Sequence, residues 1–340
     1  TNTTWRAIDS PIYAAGDLII PTNVTLRIEP GVRVEFMGSY GLAVNGALRV
    51  LGASNAPIVF TSGRQPPARG HWTGIQFNDT SDDAACVVSN AVLEHAVNGI
   101  RCSSASPSIV QSTIRLNSER GVFLQQSSPL IQSSLIESNS NDGIYGEWLS
   151  HPSILGNVIR NNDGDGIEVY GDSSQPRNSL PAIHFNQLLG NKQMAVRAGN
   201  YNLSQSVVIN ARSNWWGSVQ AVQISAMIYD YNDNTTRSPV VDFGNWYLSE
   251  TGPAVAGTPA QGILSSNAAW RISDSPIQVL GHLTVATNAT LAIDPGVQVY
   301  FHGNYRIEVG GALQALGNTS NRVVFTSAQN MPAQGNWEGL

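Results

Sequence analysis

Two aspartates in the middle of the chain have the spacing that acid–base or metal chemistry needs. Asp142 and Asp165 each precede a Gly-Ile pair and lie 23 positions apart, the interval at which several other residues recur. If this interval stacks, the carboxylates lie about 5 Å apart and could share Ca²⁺ or divide the roles of acid and base. Arg120 occupies the same position one interval earlier. The alternative, which the sequence favours, is a turn that prefers Asp, with Arg120 as a neutralising neighbour.

Two further candidates follow Asp142 in sequence. Glu147 and Trp148 fall in a segment expected to be a loop, where Trp148 could stack on a sugar or equally cover the flank of the core. Other ionisable residues nearby are Asp163, His151 and Glu168. We assign no catalytic residue and take four residues as ligand-binding candidates: Asp142, Asp165, Glu147 and Trp148. No cofactor is expected, except that Asp142 and Asp165 are weak candidates for Ca²⁺.

Composition excludes several classes of protein. Charged residues make up 12% of the chain and hydrophobic residues 41%, which excludes a highly charged disordered chain. The net charge of −6, without a basic stripe, argues against nucleic-acid binding. No apolar run approaches the roughly 20 residues that a membrane-spanning helix needs. The two cysteines, Cys86 and Cys102, leave a single disulfide or two free thiols open.

A short repeat runs through the centre of the chain. Prolines in a Pro-x-Ile pattern recur at intervals of 22, 23 and 29, at Pro107, Pro129, Pro152 and Pro181. Asparagines recur at the same intervals, at Asn117, Asn139, Asn162 and Asn191. A period of about 22 suits one turn of a β-solenoid. We predict an all-β parallel β-helix with three strands per rung, in which these asparagines form a structural ladder of side-chain amides.

A long repeat relates the two ends of the chain. Residues 1–75 recur at 266–340 with a constant offset of 265, and 36 of the 75 pairs are identical. We predict a complete unit over 1–250, a linker over 251–265 and the first part of a second unit over 266–340. We expect either that the polypeptide continues after Leu340 or that a neighbouring subunit completes the unfinished end of this second unit.

These motifs resemble those of a known architecture. The run from Gly16 through Phe36, the Asn-x-x-x-Gly-Ile rungs and the later Asn214-Trp215-Trp216-Gly217 segment resemble bacterial right-handed parallel β-helix repeat proteins of the pectate-lyase-like superfamily. The resemblance implies the fold, whereas this fold serves lyases, hydrolases, epimerases, adhesins and surface-layer proteins alike. Lyases of the superfamily use Arg or Lys beside calcium-binding carboxylates, and no such signature stands out here.

Two functional hypotheses remain. The first is a non-enzymatic structural or adhesive protein of the cell surface, part of a fibre, sheath or filament. It would associate head-to-tail or through further repeats of the same polypeptide. The second is a polysaccharide lyase or hydrolase, or a carbohydrate-binding module, using the outer face of the β-helix. We expect an extracellular or cell-surface location, glycans as possible partners, no nucleic acid and no membrane span. Of the two, we favour the first and expect no enzymatic activity.

Overall fold

The computed structural model describes all 340 residues and shows a parallel β-solenoid with three main sheets. Its single α-helix is Ala221–Ser225, and three short 3-10 turns cover Ala7–Asp9, Ser204–Ser206 and Ile272–Asp274. The predicted fold, a right-handed β-helix with three strands per rung, is therefore confirmed. The chain divides into two compact units, Thr1–Arg197 and Ala198–Leu340. No helix is long and apolar enough to cross a membrane.

Three sheets build the first unit, and the chain visits them in the order A, B, C once per rung. Sheet A contains Thr3–Trp5, Thr25–Ile28, Ala47–Leu51, Val87–Ser89, Ser108–Val110, Leu130–Gln132, Ser153–Leu155 and Ala182–His184. Sheet B contains Ile12–Ala14, Arg33–Phe36, Ile58–Ser62, Ala91–Glu94, Thr113–Arg115, Leu135–Glu137, Val158–Arg160 and Gln187–Leu189. Sheet C contains Leu18–Ile20, Gly41–Val44, Gly74–Phe77, Ile100–Ser103, Val122–Gln125, Ile144–Glu147, Ile167–Tyr170 and Val196–Gly199.

The core consists of apolar side chains stacked at equivalent positions of successive rungs. On sheet A, for example, Ile109 lies in register with Ile131, which lies in register with Ile154. All three are fully buried. Because side chains alternate between the faces of a strand, the residues on either side of each buried isoleucine point outward. The same alternation decides which side chains are available on the outer faces.

The corner between sheets B and C is held by a ladder of buried asparagines. The Asn117 side-chain amide donates to Oδ1 of Asn139 at 2.8 Å, and the Asn139 amide donates to Oδ1 of Asn162 at 2.9 Å. The Asn162 amide continues the series to Asn191 at 2.9 Å. Each Oδ1 also accepts the backbone N–H of the preceding rung's asparagine. The ladder therefore satisfies backbone groups that the tight corner leaves without a strand partner.

The other two corners carry ladders that the sequence repeat did not reveal. At the corner between sheets A and B, the backbone N–H of one residue in each rung donates to the side-chain oxygen of the equivalent residue in the next rung. This series runs through Ser112, Ser134, Asn157 and Asn186. At the corner between sheets C and A, the same arrangement runs through Ser127, Ser150 and Ser179. Every corner of the central rungs is thus closed by buried side-chain oxygens.

The glycines that follow the asparagine ladder are required by close packing. A Cβ atom added to Gly143 would lie 2.6 Å from the carbonyl oxygen of Gly166 and 2.9 Å from Nδ2 of Asn162. Gly121 has equivalent neighbours one rung earlier. Since the obstructing atoms include backbone, no larger residue fits without displacing the rung.

The second unit contains shorter sheets. One comprises Thr258–Leu264, Ile277–Val285, Gln298–Phe301, Val324–Ser327 and Ile307–Val309, and another comprises Ala268–Trp270, Thr290–Ile293 and Ala312–Ala315. The remaining strands are Val208–Asn210, Ile228–Tyr229 and Val240–Asp242. Thr258–Leu264 lies inside the segment 251–265 that was expected to be a linker. The predicted division at 250 and 266 stays a prediction.

The long sequence repeat is also a structural repeat. Phe36 stacks on Trp72 with ring centroids 4.2 Å apart, and the corresponding Phe301 stacks on Trp337 at the same 4.2 Å. Both copies therefore reproduce the same aromatic stack within their own units.

We predict that Asn139→Ala destabilises the first unit by about 3 kcal/mol, because it leaves two buried N–H groups of Asn117 without an acceptor. The control is Asn141→Ala, since the Asn141 side chain lies in the same turn and makes no hydrogen bond. Urea unfolding of both variants measures the difference. Equal stability of Asn139→Ala and Asn141→Ala would show that the ladder is dispensable.

Candidate active site

The outer face of sheet C carries one continuous row of functional side chains. Arg101 lies in register with Phe123, Phe123 with Tyr145, and Tyr145 with Glu168. The residues on either side of each are buried in the core, so these four side chains point outward and remain partly exposed. Four rungs at about 4.8 Å each thus present a cation, two aromatic rings and a carboxyl group along one line.

The guanidinium groups cover the aromatic rings. The Arg101 guanidinium carbon lies 4.4 Å from the Phe123 ring centroid, and that of Arg120 lies 4.1 Å from the Tyr145 centroid. These distances are within the range of a cation–π interaction. Arg101 makes no ion pair, so its donors are available to an anionic or hydroxylated ligand.

A second outward row lies two residues further along the same strands. Glu147 is in register with Gln125 and Tyr170, and it accepts hydrogen bonds from Gln125 Nε2 and the Tyr145 hydroxyl, both at 3.0 Å. Trp148 follows immediately with a positive φ of 50° and is 38% exposed. The Glu147 carboxylate is therefore engaged in hydrogen bonds with Gln125 and Tyr145, while Trp148 lies on the surface at the end of the strand.

Asp142 and Asp165 lie in the turn that enters sheet C, and each links two rungs. Oδ1 of Asp142 accepts the backbone N–H of Asp165 at 3.0 Å, and Oδ1 of Asp165 accepts that of Met194 at 2.7 Å. Asn98 makes the equivalent bond to the N–H of Arg120. This part of the arrangement is structural, as the turn interpretation predicts. Both aspartates are buried.

The second oxygen of each aspartate is paired with an arginine. Arg120 Nε lies 3.1 Å from Oδ2 of Asp142, and Arg197 Nε lies 2.6 Å from Oδ2 of Asp165. Arg197 Nε is also 3.6 Å from Oε1 of Glu168. Burial nevertheless raises the pKa of Asp165, and this effect outweighs the hydrogen bonds from Arg197 and Met194. Three carboxyl groups thus share two guanidinium groups.

Glu168 completes the cluster. Carboxylate oxygens of Asp142, Asp165 and Glu168 lie within 4.8 Å of one another. Burial, followed by the charges of the two aspartates and a hydrogen bond to Asp142, raises the pKa of Glu168 to about 8. Glu168 is therefore a carboxylic acid at neutral pH, held beside Asp142. A raised pKa of a partly exposed glutamate beside other carboxyl groups is the electrostatic arrangement of a general acid.

The cluster does not fit calcium as it is arranged. Calcium takes six to eight oxygen ligands, and both oxygens of each aspartate are already occupied by a backbone N–H and an arginine. A cation would have to displace Arg120 and Arg197. The possible use of Ca²⁺ by Asp142 and Asp165 stays a prediction that this geometry does not support.

The sequence named the two aspartates but missed most of their surroundings. Glu168 was noticed only as a neighbour, and Arg101, Phe123, Tyr145 and Arg197 were not singled out. A signal for the outward row was present, since each of the four rungs has its outward residue directly after an aligned Gly-Ile or Gly-Val pair. Period-two alternation applied to that pair predicts which side chain faces solvent.

A family comparison agrees with the geometry. Residues 67–212 match the model of the family described as right handed beta helix region. The match covers 146 of the 340 residues and is a likeness of this part of the chain to that family. A 57-residue stretch is also 39% identical to Protein bark beetle of Drosophila melanogaster, and it spans 17% of this chain and 2% of that protein.

Solved β-helix structures are similar in fold at low identity. An alginate lyase from Paenibacillus sp. str. FPU-7 is 12% identical, with 90% of this chain and 99% of that chain covered and a TM-score of 0.34. The A-module of the Azotobacter vinelandii mannuronan C-5 epimerase AlgE6 is 12% identical, with 96% and 89% covered and a TM-score of 0.42. A Streptomyces thermodiastaticus GH87 α-1,3-glucanase is 13% identical, with 96% and 61% covered and a TM-score of 0.39.

The prediction that this β-helix is not an enzyme is wrong. The similar solved chains are named as a lyase, an epimerase and a glucanase, all of them polysaccharide-active enzymes. That prediction depended in part on the long repeat and in part on the absence of a catalytic signature, whereas the structure groups three carboxyl groups around Glu168. A likeness at 12–13% identity shows the fold alone, so the activity has to be argued from this chain's own residues. The extracellular location and head-to-tail self-association stay predictions.

We predict that Glu168 makes the stability of the β-helix depend on pH. The pKa of Glu168 in the folded state lies above the ordinary 4.5. The side chain therefore contributes fully to the stability of the fold below pH 4.5, and this contribution is lost as the pH rises through about 8. The variant Glu168→Gln cannot ionise and lacks this loss. The melting temperature of the natural protein should therefore fall by a few degrees relative to Glu168→Gln between about pH 4 and about pH 9.

The matched control for this pH dependence is Glu137→Gln. Glu137 is comparably exposed, lies on the outer face of sheet B and pairs with Arg160 at 2.9 Å. A melting-temperature difference between the natural protein and Glu168→Gln that stays constant with pH would mean that the pKa of Glu168 is the same in the folded and unfolded states.

Proposed function

We propose that this β-helix is a polysaccharide-active enzyme that hydrolyses glycosidic bonds on the outer face of sheet C. The observation that carries the proposal is the cluster of Glu168, Asp142 and Asp165, in which three carboxyl groups share the guanidinium groups of Arg120 and Arg197. The sequence-based alternative of a polysaccharide lyase or hydrolase is thus preferred, with the residues and their roles now specified.

Glu168 is assigned the role of general acid. Its side chain is 14% exposed, whereas those of Asp142 and Asp165 are each 3% exposed, so Glu168 is the member of the cluster that a ligand reaches. A proton passes from Glu168 to the glycosidic oxygen as the bond between that oxygen and the anomeric carbon breaks. Water then adds its hydroxyl group to the anomeric carbon and returns a proton to Glu168.

The aspartates are assigned an electrostatic role. Positive charge develops on the sugar in an oxocarbenium-like transition state. Asp142 and Asp165 lie beneath Glu168 in fixed positions, because each Oδ1 is held by a backbone N–H and each Oδ2 by an arginine. Once Glu168 has given up its proton, three carboxylates face two guanidinium groups, and the excess negative charge stabilises the developing positive charge.

The aromatic row is assigned to substrate binding. Phe123 and Tyr145 lie in adjacent rungs, with centroids 5.3 Å apart, and they lead along the strand stacking direction towards Glu168. Arg101 and Arg120 lie over these rings, and the free donors of Arg101 suit hydroxyl or carboxylate substituents of a glycan. A linear glycan lying across the rungs would contact all of these groups.

Hydrolysis is preferred over elimination because no free base lies beside the Glu168 cluster, since Arg101, which makes no ion pair, lies three rungs away from Glu168. A lyase must remove a proton from carbon, and Tyr145 is the residue placed to do so. Burial, followed by the charge of Glu147 and the hydrogen bond to it, raises the pKa of Tyr145 above its ordinary value, which keeps the phenol neutral. Arg120 and Arg197 are engaged by aspartates.

The test of this function is turnover of a polysaccharide panel comprising polygalacturonate, alginate, a β-1,3-glucan and an α-1,3-glucan. We expect new reducing ends without the ultraviolet absorbance of an unsaturated uronate. Replacing Glu168 by Gln should lower kcat by about 100-fold or more, because the proton donor is lost. Glu137→Gln should leave the rate unchanged. Unsaturated products would favour a lyase, and equal rates for Glu168→Gln and Glu137→Gln would remove Glu168 from the reaction.

We also propose that the reaction needs no bound cation. Because Arg120 and Arg197 already neutralise the aspartates, chelation with EDTA should leave kcat and the melting temperature unchanged. Readdition of Ca²⁺ should have no effect either. A rate that falls with EDTA and returns with Ca²⁺ would mean that the arginines leave the cluster and a cation replaces them.

A further inference from the structure

The outer face of sheet A differs in composition from the outer faces of the other two sheets. Five consecutive rungs each present two outward residues, and none of these ten is Asp, Glu, Lys or Arg. In chain order they are Val87, Ser89, Ser108, Val110, Leu130, Gln132, Ser153, Leu155, Ala182 and His184. We call this surface the sheet A face. It begins after Arg49, which is the neighbour of Val87 in the preceding rung.

The lack of charge on the sheet A face is characteristic of a contact surface. The outer face of sheet B carries the ion pairs Glu94–Arg115 and Glu137–Arg160, and that of sheet C carries Glu168 and its neighbours. Depletion of charged residues, rather than overall hydrophobicity, distinguishes the core of a protein–protein interface from the remaining surface. The sheet A face therefore has the composition of an interface, and the other two faces do not.

Apolar and polar residues alternate on the sheet A face. Each rung carries one of each kind, and the apolar residue changes sides from rung to rung. It precedes the buried residue of the strand at Val87, Leu130 and Ala182, and it follows the buried residue at Val110 and Leu155. The order of the five rungs is therefore the same when it is read from either end, with the rung of Leu130 at the centre.

This symmetry makes the sheet A face complementary to itself. A second copy can be rotated by 180° about an axis that lies in the plane of contact, parallel to the strand of Leu130. The rotation keeps the strand direction and reverses the order of the rungs. Leu130 then lies opposite Leu130 of the second copy, Val110 lies opposite Leu155, and Val87 lies opposite Ala182. Every apolar residue of the face thus meets an apolar residue.

The polar residues are matched by the same rotation. Gln132 lies opposite itself, Ser108 lies opposite Ser153, and Ser89 lies opposite His184. Each of these side chains can both donate and accept a hydrogen bond, so either member of a pair can serve as the donor. No polar group has to be buried against an apolar one, which would cost free energy.

The size of the sheet A face indicates a weak association. Five rungs at about 4.8 Å span about 24 Å, and the extended chain from Ser106 to Gln111 spans about 17 Å across one rung. Each copy would therefore contribute about 400 Å², which is about half of what a standard interface takes from each partner. We expect a dimer that forms at high micromolar concentration and exchanges with the monomer.

We propose that the sheet A face is an isologous contact between two copies of the chain, arranged antiparallel about a two-fold axis at the rung of Leu130. The two faces pack about 10 Å apart, as the sheets of a β-sandwich do. Because both copies use the same surface, the contact closes at a dimer. It uses a different sheet from the Glu168 cluster and is independent of the proposed hydrolysis.

Analytical ultracentrifugation of the full chain from about 10 μM to about 1 mM tests the contact. We expect a monomer–dimer equilibrium that changes little with salt, because the face carries no charged residue. Leu130→Asp should weaken dimerisation about tenfold or more, because it places two carboxylates opposite each other. The control Leu135→Asp puts the same charge on the outer face of sheet B in the same rung, and it should dimerise like the natural protein. Equal dimerisation by the two variants, or monomers alone at every concentration, would overturn the proposal.

Thiol cross-linking tests the orientation and does not depend on the folding of Leu130→Asp. Cys86 and Cys102 are buried, so an introduced surface thiol reacts selectively with a bismaleimide. Leu130→Cys should be joined to itself, because its two copies face each other about 10 Å apart. Val87→Cys should not, because its two copies lie four rungs, or about 19 Å, apart along the solenoid. Cross-linking of Val87→Cys as efficient as that of Leu130→Cys would contradict the antiparallel arrangement.

Discussion

The buried side-chain ladders at the corners are the constraint on which the rest of the first unit depends. A rung of about 22 residues has to turn three times within a few positions, and each turn removes backbone N–H groups from the sheets. Asn139 shows the solution, since its Oδ1 accepts both N–H groups that Asn117 presents to it. Because each ladder member bonds to the equivalent residue of the next rung, the ladders fix the register of all three sheets together.

The register set at the corner between sheets B and C is also what assembles the candidate active site. Asp142 and Asp165 lie three residues after Asn139 and Asn162, and one carboxylate oxygen of each accepts a backbone N–H of the next rung. Their burial is therefore a consequence of the fold. The burial of Glu168 itself, followed by the charges of these two aspartates, raises the pKa of Glu168. The turn thus serves the structure, and a chemical role for the two aspartates stays a proposal.

Much of this was available from the sequence, and the reasons for the remainder are physical. The recurrence of Asn117, Asn139 and Asn162 predicted the rung and the ladder, since both depend on equal spacing. Glu168 was named only as a nearby ionisable residue. Its raised pKa comes from its own desolvation and from the charges of two aspartates, and residue spacing in the sequence predicts neither effect. Arg197 was hidden by the insertion that lengthens the last interval to 29 residues. The serine ladders were missed because serine is common throughout this chain and its spacing does not stand out.

The outer face of sheet B shows why the cluster on sheet C is more than another structural ion-pair series. On sheet B, Glu94, Arg115, Glu137 and Arg160 follow one another in register and alternate in sign. Each carboxylate there has its own guanidinium, at 2.9 Å in both pairs, and the row is neutral with every group ionised. On sheet C, three carboxyl groups share Arg120 and Arg197. The third must keep its proton, because a buried carboxylate without a counter-charge is costly. Under the proposed function, the proton that Glu168 keeps in this unbalanced row is the one transferred to the glycosidic oxygen.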